Sequence, residues 1–136
     1  MTPEDFLTLR HQLMVHEGLR LFPYTDTAGK LTIGYGRNLT DKGITLREAE
    51  QLLDHDITDA IQSVLMALPW TSMLSAARFR VLVDIAFNAG INGLLGFPKM
   101  LIAAQQGDYT TAANEIVNSH LAPHRAEHLA DIMRTA

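Results

Sequence analysis

His16-Glu17-Gly18-Leu19-Arg20-Leu21-Phe22-Pro23-Tyr24-Thr25-Asp26-Thr27-Ala28-Gly29-Lys30-Leu31-Thr32-Ile33-Gly34-Tyr35-Gly36 is the stretch on which the fold turns. A helical pattern enters it and an alternating pattern leaves it. Upstream, Phe6, Leu9 and Leu13 recur at helical spacing. Thr2 is a capping residue, Pro3 suits the first helical position, and Asp5 stands three residues past the cap. A helix from about Pro3 to Glu17 follows, ended at Gly18. Thr25-Asp26-Thr27-Ala28-Gly29 has turn chemistry. Beyond it Leu31, Ile33 and Tyr35 are expected on one face of a strand and Thr32, Gly34 and Gly36 on the other. A β-hairpin results, with a short third strand expected around Gly43-Ile44.

Helices fill the remainder. Thr45-Leu46-Arg47-Glu48 is a capping box and opens a long amphipathic helix to about Ala67, closed by Pro69. Ser75 caps a helix to about Asn88 whose Val81, Leu82, Val83, Ile85, Ala86 and Phe87 are apolar all round, as in a buried central helix. Gly90 ends it. Shorter helices are expected around 92–96, 98–106, 109–119 and 123–134. The class is therefore α+β and mainly α. One domain is expected, with a small β lobe over about 18–44, a connecting helix over about 45–67, and a larger helical lobe from about 1–17 and 68–136.

Composition narrows the function. The absence of cysteine excludes disulfides and thiolate metal sites. Eleven basic against 15 acidic residues give a net charge of −4 with no basic run, which speaks against nucleic-acid binding. No stretch approaches a membrane span, and the N-terminal residues do not read as a secretory signal. His11 with His16, and His124 with His128, place no third ligand, so neither metal nor other cofactor is expected.

Two carboxyl groups stand out. Glu17 sits in the last helical turn, where the helix dipole disfavours a carboxylate; burial against the hairpin is expected to add to this. Asp26 lies in a polar turn where backbone N–H groups and water favour the ionised form. An acid and a carboxylate held in different states are what hydrolysis of a glycosidic bond uses. Thr32 shares its expected face with two glycines, leaving room for a sugar ring and a hydroxyl to hold water.

Glu-Gly-Leu-Arg at 17–20, Tyr-x-Asp-Thr at 24–27 and Gly-x-x-Thr-Ile-Gly-x-Gly at 29–36, in that order, resemble the signature of the phage T4-type lysozymes, glycoside hydrolase family 24. Gly43-Ile44-Thr45, Phe87-Asn88-Ala89-Gly90 with Gly96-Phe97, and Arg125-Ala126 extend the likeness over most of the chain. It departs from the family pattern at Ile116–Leu121, where a Trp is usual nearby, and at His124-Arg125-Ala126 in place of Asn-Arg-Ala.

The resemblance implies a lysozyme-like fold and a catalytic triad of Glu17, Asp26 and Thr32. It implies endo-acting, inverting hydrolysis of the β-1,4 bond between N-acetylmuramic acid and N-acetylglucosamine in bacterial peptidoglycan, for host cell lysis. Arg125 matches an arginine that pairs with the catalytic glutamate. Phe87 and Asn88 match a cleft-lining segment, although for Phe87 core packing is the favoured role. The expected protein is a monomer that stays in the host cytoplasm until release, then acts on the wall without inserting into a membrane. Two other readings stand beside it: a lytic transglycosylase, and a non-catalytic derivative that binds wall sugar or protein.

Overall fold

A computed structural model describes residues 1–136. The chain divides into two compact units, Met1–Glu50 and Gln51–Ala136.

The first unit opens with α1, Pro3–Glu17, behind a complete capping box: Thr2 Oγ1 accepts from the Asp5 N–H, and the Asp5 carboxylate accepts from the Thr2 N–H. An antiparallel sheet of order β1-β2-β3 follows, formed by Arg20–Thr25, Leu31–Gly34 and Arg37–Asn38. The third strand lies six residues earlier than its expected position. Ile33 already pairs with Arg37, so the chain reverses within Gly34-Tyr35-Gly36, and both of those glycines have positive φ. Gly36 thus belongs to a turn and not to the Thr32 strand face. A one-turn helix, α2, occupies Leu39–Lys42.

α3, Leu46–Ala67, starts at the expected box, with the Glu48 N–H on Thr45 Oγ1 and the Thr45 N–H on Glu48 Oε1. Glu48 also takes a two-point bond from Arg37, at 2.8 and 2.6 Å. These bonds tie β3 to the first turn of α3 and hold the Glu48 carboxyl at about 2, against an ordinary 4.5; the Arg37 guanidinium is the main cause and the Thr45 N–H the next.

In the second unit a 3-10 turn at Pro69–Met73 precedes α4, Ala76–Leu95, α5, Pro98–Gln105, α6, Tyr109–Val117, and α7, Pro123–Thr135. α4 breaks at Gly90, whose φ of 75° and ψ of 167° are not helical, as its expected end there implied. The core gathers Val64, Leu82, Ile85, Leu94, Met100, Ile116 and Met133, all at 0% exposure. Alanines 112 and 113 on α6 and 126 and 130 on α7 are buried, and their small side chains let the two helices pack closely. Arg78 joins three helices from α4: its Nε donates to the Met133 carbonyl at 2.8 Å and its guanidinium lies 3.5 Å from the Tyr109 ring centroid. No single helix is long and apolar enough to cross a membrane.

Candidate active site

Glu17, Asp26 and Thr32 all fall in the first unit. Glu17 is the last residue of α1, as its place before Gly18 required. Its carboxyl rests against the backbone of Gly36: a β-carbon built on Gly36 would stand 2.8 Å from Glu17 Oε2 and 3.2 Å from Cδ. Both distances are shorter than van der Waals contact, so a side chain at Gly36 would push the carboxyl from this position. Glu17 is nonetheless exposed, which corrects the expected burial against the hairpin. The hairpin offers it a bare turn, with no apolar side chain at Gly36 to cover it.

Asp26 follows β1 and closes the turn. Its Oδ1 accepts from the N–H groups of Ala28, at 2.9 Å, and Lys30, at 2.8 Å. Its own N–H donates to the Lys30 carbonyl at 2.9 Å. The backbone donors expected from the turn chemistry are in place, and both enter one oxygen.

Thr32 lies in the middle of the sheet, opposite Tyr24 on β1 and Asn38 on β3. At 4% exposure it is the one buried residue of the first unit, while Leu31 on the other face is 44% exposed. The expected open face for a sugar ring at Thr32 is therefore corrected: the Thr32 side of the strand is buried. The Thr32 hydroxyl donates to the Lys30 carbonyl at 3.0 Å. Its proton is thereby engaged and its oxygen retains acceptor capacity.

The residues taken from the second half of the chain lie in the second unit. Phe87 is 43% exposed, so core packing does not describe it. α4 buries Val81, Leu82, Ile85 and Ala86 and turns Phe87 outward, where it lines an apolar groove of about 480 Å³ with Leu53, Ile57, Phe79 and Val83. Arg125 lines the same groove, and its Nη1 stands 3.6 Å from Asp84 Oδ1. Neither of those buried atoms makes a hydrogen bond. Asn88, one residue on, lines a different cavity of about 600 Å³ with Phe97, Glu115, Asn118 and His120. Phe87 and Arg125 are thus brought together, and Asn88 is apart from them.

The model of the phage lysozyme family matches residues 14–126, which include Glu17, Asp26 and Thr32. The chain belongs to the phage lysozyme family. A probable T4-type lysozyme of Dictyostelium discoideum is 24% identical, with 94% of each chain covered. The pre-baseplate central spike protein Gp5 of Enterobacteria phage T4 is 29% identical over 78% of this chain and 23% of that protein. The mainly α architecture with its small antiparallel sheet agrees with this membership. Membership of the family supports a peptidoglycan-hydrolysing, glycosidase type of activity.

Two groups in the first unit have structural roles that the motifs did not assign. Gly36 accommodates Glu17, and the Gly-x-Gly at its end of the hairpin was its only mark. Arg37 immediately follows and finds Glu48 eleven residues away, a partnership that spacing does not disclose. On α3, His55, Asp56 and Asp59 place ligand atoms within 4.8 Å of one another, but all three are exposed.

Proposed function

We propose that this chain hydrolyses the β-1,4 bond between N-acetylmuramic acid and N-acetylglucosamine with inversion, lysing a bacterial host from within. The observation that carries the proposal is the place of Glu17: a carboxyl at the end of α1, lying beside the side-chain-free Gly36 in the same unit as Asp26 and Thr32. Glu17 would protonate the glycosidic oxygen as the C1–O bond breaks. A water would attack C1 from the opposite face and lose its proton to Asp26. The hydrogen-bond inventory supports that division. Asp26 Oδ1 is engaged by two N–H groups, which leaves Oδ2 to accept from water. Thr32, its proton directed at the Lys30 carbonyl, is a second acceptor. Two acceptors on one water direct its lone pair away from them, towards an electrophile.

Phe87 and Arg125 on one groove and Asn88 on another would contact the glycan or its peptide stems. The division into a β lobe, a connecting helix and a helical lobe that includes residues 1–17 belongs to the same proposal. So does action as a monomer after release from the host cytoplasm, without metal or other cofactor.

The test is clearing of purified peptidoglycan by wild type and Glu17→Gln. The variant is expected to keep its fold, since Glu17 is exposed, and to lose turnover by about 10²–10⁴-fold, the usual contribution of a general acid. Product masses should show reducing muramic ends, and NMR of fresh digests should show the α-anomer first. Anhydro-muramic products would make the protein a transglycosylase. Absence of clearing by folded wild type would make it a binding module.

A further inference from the structure

The inference rests on the hydrolase reading and concerns the aspartate–threonine side of its site. β2 runs past the end of β3: their pairing stops at Thr32 opposite Asn38. One residue earlier, the Leu31 N–H points to that same edge, where the chain has already wound into α2. A strand N–H left outside the ladder there bonds either to water or to a side chain. Thr40, on α2, supplies the side chain: its Oγ1 accepts from Leu31 N at 2.8 Å.

The peptide group that carries this N–H has the Lys30 carbonyl at its other end. That oxygen accepts from both the Asp26 N–H, at 2.9 Å, and the Thr32 hydroxyl, at 3.0 Å. A peptide group is planar, so its N–H and C=O turn together. Whatever fixes the nitrogen side also aims the oxygen that holds Asp26 and Thr32. A bonded N–H also makes its own carbonyl a stronger acceptor. The second tie from α2, Lys30 Nζ to Asp41 Oδ1 at 3.2 Å, is an exposed ion pair and holds little.

We propose that Thr40 is a positioning residue: its hydroxyl fixes the plane of the Lys30–Leu31 peptide and thereby the relative placement of Asp26 and Thr32. Thr40→Val removes the acceptor while preserving shape, and Thr40→Ser keeps it. On soluble glycan fragments, kcat of Thr40→Val should fall about tenfold or more, since small misplacements of reacting groups are costly. KM should stay within about twofold, and Thr40→Ser should recover kcat. Amide hydrogen exchange at Leu31 and Asp26 should accelerate in Thr40→Val and not in Thr40→Ser. If Thr40→Val does not fold, Thr40→Ala is compared with Thr40→Ser in the same measurements. Unchanged kcat, or a rise in KM alone, overturns the proposal. Should wild type prove inactive on peptidoglycan, the hydrolase reading falls and exchange at Asp26 still decides: acceleration in Thr40→Val upholds the positioning, and wild-type exchange overturns it.

Discussion

Glu17 Oε2 lies 2.8 Å from the point where Gly36 would carry a β-carbon, so the proposed acid, where it stands, uses space that Gly36 leaves free. The φ of Gly36, +79°, independently disfavours any other residue. A single position therefore serves the turn that starts β3 and the seat of the carboxyl that ends α1.

Replacement of Gly36 by Ala should affect both. The left-handed backbone costs about 1–2 kcal/mol for a residue with a β-carbon. The displaced Glu17 should lower kcat by about tenfold or more, because proton transfer requires hydrogen-bond reach. Thermal unfolding and turnover of Gly36→Ala, measured on the same preparation, check this. Wild-type turnover in a destabilised variant would separate Gly36 from the site.

Asp26 has a turn role and a proposed chemical role, and two substitutions divide them. Asn retains Oδ1 for the N–H groups of Ala28 and Lys30, so Asp26→Asn should fold normally and lose about 10²–10⁴-fold in turnover. Asp26→Ala should lose the same activity and also destabilise by about 1–3 kcal/mol through its unsatisfied donors. Denaturant melts beside clearing assays distinguish the two.

Arg37 and Glu48 give a pH signature. The Glu48 carboxyl is depressed to about 2 from 4.5, so the folded state favours its charged form. That stabilisation is fully present above about pH 4.5 and disappears as pH falls from there through 2. The difference in denaturant midpoint between wild type and Glu48→Gln should be constant near neutrality and shrink across that window. Salt should reduce it, because the pair is partly exposed. A difference independent of pH would assign Glu48 a capping role alone.

Leu82 tests the core of the second unit. It is fully buried on α4 within the core cluster of that unit, and Leu82→Ala should cost about 2–5 kcal/mol. Leu46, 75% exposed, should tolerate Ala within about 0.5 kcal/mol. Equal melting of the two variants would contradict the burial pattern.

The local elements were legible because local chemistry fixes them. Thr2 with Asp5, Thr45 with Glu48, and Asp26 within its own turn each satisfy backbone groups two to four residues away, which spacing reports directly. The same spacing marked Glu17 as a helix-terminal acid and Gly90 as a break. The early start of β3, the burial of Thr32, the outward turn of Phe87 and the pairings of Arg37 with Glu48 and Leu31 with Thr40 were not legible. The two pairings depend on donors and acceptors that the folded chain brings together over nine or more residues, and the burials on which face meets a neighbour; β3 starts early because two glycines with positive φ turn the chain at once. Periodicity names a face without naming what covers it. Sequence alone marked the longer helices, the hairpin and three candidate site residues, because their signals are local; tertiary structure decided how deeply each residue is buried and what it touches, because that depends on the surfaces folding brings together.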